Sequence, residues 1–108
     1  MICFRFFLSG NAVTGFDASG HAGCGTEGND IVCAAVSSAA YLAANTLTDV
    51  LSADADVKVD PNGRMTLALR SENEPAQQLL KGLERHIRML SEQYPDRIKI
   101  IYGGYKNA

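Results

Sequence analysis

His21 and Cys33 stand twelve residues apart in the stretch GHAGCGTEGNDIVCAAVS, Gly20 to Ser37, at the two ends of a glycine-rich loop that runs into a helix. A thiolate in the first turn of a helix is stabilised by the positive end of the helix dipole, and an adjacent imidazolium lowers the thiol pKa further. In such a pair His21 would take the thiol proton as general base and return it to a leaving amine as general acid. Asp30 would orient the imidazole if it is not fully used in capping the helix. Free amides of Val32, Cys33 and the loop glycines would offer an oxyanion hole, and Gly23, Gly25 and Gly28 would let the backbone approach a substrate closely.

Three other readings of the same residues compete. His21, Cys24 and Cys33 are soft metal ligands, with Asp30 as a fourth, but the paired Cys-x-x-Cys or His-x-x-x-His knuckles of structural zinc sites are missing, so no metal is expected. Gly23 to Gly28 fits G-x-G-x-x-G between a strand and a helix. A dinucleotide fold needs a parallel βαβ unit and more chain, and Glu27 and Asp30 would repel a pyrophosphate, so no cofactor is expected. Finally, His21 is a surface residue and Cys33 a small buried hydrophobe, the usual fate of a free cysteine. Spacing alone leaves these alternatives open, because a His and a Cys near each other in sequence need not meet in space.

The elements that would carry the pair follow from periodicity. Ile2, Phe4, Phe6 and Leu8 alternate with Cys3, Arg5 and Phe7, and Gly10-Asn11 marks a turn to a second strand from Ala12 to Ala18, giving a hairpin. Asp30 is the expected N-cap of a helix reaching about Leu51, which puts Cys33 at the third helical position. Its stripe is Val32, Val36, Ala39, Ala43, Leu47 and Val50. A second hairpin runs from Asp56 to Val59, turns at Pro61-Asn62-Gly63 and returns through Met65 to Leu69, with Val57 and Val59 facing in beside Met65, Leu67 and Leu69. A second helix begins near Ser71 to Pro75, where Ser71 and Glu74 fit a capping box. It buries Leu79, Leu80, Leu83, Ile87 and Leu90 and stops at Pro95. Arg97 to Tyr102 closes the order ββαββαβ, an α+β two-layer sandwich with both helices on one face of a mixed sheet.

The 108 residues, 46% hydrophobic and 20% charged, suit one domain spanning 1–108. A net charge of −2 gives no electrostatic reason to bind nucleic acid or an acidic membrane. Three cysteines without repeated spacing suit a reducing cytoplasm. The apolar start from Met1 to Leu8 is interrupted by Arg5 and reads as a strand, not a signal peptide. No apolar run is expected to approach the roughly 18 residues of a spanning helix, so a soluble protein is expected.

Ser19-Gly-His-Ala22, the glycine-rich loop and then Asp30-Ile-Val-Cys-Ala-Ala-Val-Ser37 together resemble the signature of the bacterial ribosomal-processing cysteine protease family, a likeness that covers essentially the whole chain. The resemblance implies a homodimeric α+β peptidase with His21 and Cys33 as its dyad, Asp30 as the accompanying acidic residue and Ser37 near the site. It also implies a partner: the precursor of the twenty-seventh large-subunit ribosomal protein, from which the family removes an N-terminal extension. A non-catalytic ribosome-assembly protein of the same fold is the alternative. Cys24 departs from the family pattern; it is either a tolerated loop residue or a reversible disulfide partner for Cys33. Cys3 is expected to be inert and His86 to be a solvated helix residue.

Overall fold

Alternating apolar residues set Phe4 and Phe6 on one side of the first strand, β1 (Ile2–Ser9), and the structure, a computed structural model describing residues 1–20 and 30–103, buries both rings completely. The Gly10-Asn11 turn returns the chain as β2 (Ala12–Gly20), antiparallel to β1, with Phe16 directly opposite Phe6. Phe4 stacks on both Phe6 and Phe16, at centroid separations of 4.9 and 5.3 Å. Three further strands, β3 (Ala55–Val59), β4 (Met65–Leu69) and β5 (Ile98–Tyr102), complete a sheet of order β3-β4-β2-β1-β5. Only the β1–β5 pair is parallel. Gly15 is required where β2 meets β4, because a Cβ there would lie 2.1 Å from the Leu67 carbonyl oxygen.

Two helices cover one face. α1 (Ile31–Asn45) buries Val32, Val36, Ala40 and Ala43, and α2 (Glu74–Gln93) buries Ala76, Leu80, Leu83, Ile87 and Leu90. Both sets join Phe4, Phe6, Phe16, Met65 and Leu67 in one apolar cluster, so the expected sandwich and its ββαββαβ order are present. Tyr102 donates a hydrogen bond to Glu84, tying β5 to α2.

Several local expectations need correction. Val57 and Val59 lie opposite Leu67 and Met65 and so share their face, yet they are 37% and 49% exposed. β3 is the edge strand, and the helix layer does not extend over it. Val50 is 74% exposed although the apolar stripe included it. After Asn45 the helix widens into a π-turn (Thr46–Val50), seen in the Leu51 amide bonding Thr46, and the wider turn rotates Val50 out of phase. The segment Ile31–Val50 is also long and apolar enough to cross a bilayer by length and composition, against expectation. Its alanines raise hydropathy while presenting little area, and here its buried stripe packs on the sheet.

The capping box is replaced by a single cap. Asn73, not Ser71, precedes α2, and its side chain accepts from the Ala76 amide at 2.9 Å, with Pro75 in the first turn. Asn73→Ala is therefore expected to cost about 1 kcal/mol in urea unfolding, whereas Ser71→Ala should stay within about 0.5 kcal/mol of the parent.

Candidate active site

The start of α1 holds Cys33, one half of the expected pair. Asp30 has extended backbone (φ −82, ψ 103), and its Oδ1 accepts from the amides of Val32 and Cys33, both at 3.0 Å. Its carbonyl receives the Ala34 amide at 3.0 Å, the first helical bond. Cys33 is thereby the third residue of the helix, half-buried, as its spacing from Asp30 predicts. Asp30 places a carboxylate where the dipole is positive and so offsets part of the field that favours a thiolate.

This arrangement corrects the expected oxyanion hole. The amides of Val32 and Cys33 donate to Asp30 Oδ1, so they serve the cap and not a developing alkoxide. Oδ1 of Asp30 thus caps the helix and supports the backbone of Cys33.

Cys33 opens on a cleft of about 160 Å³ between α1, the end of β2 and the β3–β4 turn. Ile2, Ala18, Val36 and Met65 form its apolar floor, while Ser19, Ser37 and Asn62 bring polar groups to it. Ser37, one helical turn beyond Cys33, shares the cleft with it, as its sequence position implies. His21, Cys24 and the glycines at 23, 25 and 28 lie outside the described residues, and with them two of the four members of the metal set that includes Cys33 and Asp30. The strand that leads to His21 ends in the cleft at Gly20. β2 has antiparallel neighbours on both sides, so the glycine pattern after it lacks the parallel βαβ unit of a dinucleotide site.

Sequence reasoning missed Ser19, Tyr41, Asn62, Gly63 and Met65 as cleft residues. Pro61-Asn62-Gly63 was legible as a turn, but only the packing of sheet and helix carries it to Cys33. It also missed the demand at Gly20, where φ is +90 and a Cβ would lie 2.4 Å from the Met1 carbonyl oxygen.

A half-buried thiol at a helix start, open to a cleft beside a strand end on an α+β sandwich, is the setting of a cysteine protease, and the family match and the similar solved structures show that class. The chain belongs to the family described as cysteine protease Prp, whose model matches residues 1–99. It is 29% identical over 92 residues to the ribosomal processing cysteine protease Prp of Staphylococcus aureus, an alignment covering 83% of this chain and 87% of that protein. The crystal structure of the essential S. aureus protease with a covalently linked product peptide superposes with TM-score 0.88 at 28% identity, covering 94% of this chain and 99% of that one. The same protease with a substrate peptide gives TM-score 0.82 at 26% identity over the same shares. SMU.848 from Streptococcus mutans gives TM-score 0.82 at 28% identity, over 95% of this chain and 94% of that one. Membership in a protease family sets aside the alternative of a non-catalytic assembly protein.

Gly20→Ala is expected to destabilise the fold by roughly 1–3 kcal/mol through backbone strain and to lower kcat/KM, since His21 follows directly. Gly82→Ala, in α2 with open space around its Cβ position, should instead stabilise by about 0.5–1 kcal/mol. Thermal melts and a peptide cleavage assay on both variants check the contrast.

Proposed function

We propose that this cysteine protease removes the N-terminal extension of the twenty-seventh large-subunit ribosomal protein in the cytoplasm, with Cys33 as nucleophile and His21 as its acid–base partner. The observation that carries the reading is the placement of Cys33 at the third position of α1, open to a cleft beside the end of β2. Its support from likeness is the S. aureus relative, a ribosomal processing protease solved with a covalently linked product peptide.

In the proposed reaction His21 takes the proton from Cys33 Sγ, and the thiolate attacks the scissile carbonyl carbon to form a C–S bond. Loop amides from Gly23, Gly25 and Gly28 hold the oxyanion, because those of Val32 and Cys33 are engaged by Asp30. The C–N bond breaks as His21 returns its proton to the leaving amine, and water then hydrolyses the thioester. Ser37 lies beside the reacting thiol and contributes polarity to the cleft. No nucleic acid, membrane or cofactor takes part.

Cys33→Ala and His21→Ala should each lower cleavage of an extended precursor by roughly 10³-fold or more, as members of one catalytic unit fail together. Cys33 should also react with iodoacetamide faster than Cys3 or Cys24. Turnover retained by Cys33→Ala removes the nucleophile assignment.

We also propose a homodimer formed through the α1–α2 face. α1 exposes Leu42 at 67%, beside a groove of about 600 Å³ whose walls include Ala39, Ala43, Leu79 and Leu83. Leu42→Asp is expected to shift the protein to a monomer on size-exclusion chromatography; an unchanged elution volume places the contact elsewhere.

A further inference from the structure

The ladder between β2 and β4 ends at the pair Ala18 and Met65. Past that point β2 continues through Ser19 and Gly20 paired with β1, while the chain preceding β4 curves through Asn62 and Gly63. These two diverging segments are opposite walls of the cleft into which Cys33 opens. Among the described residues no backbone pair joins them there.

One side-chain contact reaches from the turn back to the paired part of β2, where Asp17 lies opposite Thr66. Arg64 grips Asp17 with a two-pronged guanidinium, Nε to Oδ1 at 2.8 Å and Nη2 to Oδ2 at 2.6 Å, and Thr66 Oγ1 adds a longer bond to Oδ1 at 3.4 Å. Asp17 is 8% exposed, the one buried charged residue among those described. Burial of a carboxylate is costly unless it is paired, and the half-exposed Arg64 supplies that partner. Asp17 directly precedes the cleft segment of β2, and Arg64 sits between Gly63 and Met65, which both line the cleft. The turn itself is closed by Asp60, whose Oδ1 accepts from the Asn62 and Arg64 amides at 2.9 and 3.0 Å. The Asp17 hydrogen bond and charge, with a further contribution from Asp60, raise the Arg64 pKa.

Strand alternation decides what the pair does. Arg64 and Thr66 point to the face opposite Met65 and Leu67, so the ion pair lies behind the cleft and does not enter it. We propose that Asp17 and Arg64 are positioning residues that set the width of the peptide cleft, fixing the β3–β4 turn against the end of β2 so that an extended substrate is gripped. The inference rests on the proposed reading that a peptide substrate occupies the cleft beside Cys33.

The test is steady-state kinetics on a fluorogenic peptide copying the extension junction of the ribosomal protein precursor. Arg64→Gln raises KM roughly tenfold while kcat stays within about twofold, the signature of lost uniform binding. In the same variant Cys33 reacts with iodoacetamide at the parent rate, although loss of the partner of buried Asp17 lowers the melting temperature. Arg64→Lys recovers part of the KM, since an ammonium keeps the charge without the fork. Asp17→Asn raises KM in the same direction. Arg70→Gln is the control: Arg70 pairs with Asp54 and Asp56 on the exposed far end of the same hairpin, and KM is unaffected. An unchanged KM in Arg64→Gln, an equal rise in Arg70→Gln, or a joint fall of kcat and melting temperature at constant KM overturns the proposal. Cleavage retained by Cys33→Ala strikes the nucleophile assignment alone, because the KM comparison requires only that the peptide occupies this cleft.

Discussion

The seating of α1 on the aromatic face of the sheet is the interaction on which the cleft depends. Val32, Val36, Ala40 and Ala43 reach the apolar cluster of Phe4, Phe6 and Phe16, and that contact fixes both the height of the helix and the side it turns to the sheet. Once it is made, residues one turn apart on the neighbouring strip, Cys33 and Ser37, must face the end of β2. A helix rolled through even a fraction of a turn would move the thiol away from the strand that leads to His21.

Small residues make this seating close and also make it weak. An alanine buries far less apolar area than a leucine, so α1 gains little per residue from its contact with the sheet. Stability is supplied elsewhere, by the three stacked phenylalanines and by the leucine stripe of α2. The division suits a catalytic helix. It can approach the sheet closely enough to bring Cys33 beside β2, while bulkier residues elsewhere in the core hold the layers together. Its cost is an outer surface with Ile31, Tyr41, Leu42 and Val50 exposed.

Asp30 shows how one local interaction excludes another. Helix starts are attractive sites for negative charge because their first amides lack partners. In this chain the cap carboxylate takes the Val32 and Cys33 amides. It thereby locks the backbone of Cys33 and engages both amides in the cap. The β3–β4 turn follows a similar logic at the opposite wall, where Asp60 closes the turn and the Asp17–Arg64 pair fastens it to β2.

The sequence by itself determined the elements and the local chemistry. Period-two alternation specified β1, the spacing from Val32 to Leu47 specified α1, and Asp30 specified where α1 starts and hence that Cys33 is third. These features act within one or two turns, so neighbours along the chain suffice to decide them. Val57 and Val59 mark the limit: their face was legible, but whether a helix covers it depends on the position of β3 at the sheet edge. The choice of Asn73 over Ser71 as cap depended on where the chain leaves β4. Tertiary structure alone decided the cleft, because its walls come from β2, α1 and a turn some thirty residues beyond Cys33. It alone also paired Asp17 with Arg64, 47 positions apart. Such contacts come from loop closure and layer packing, which no local pattern encodes.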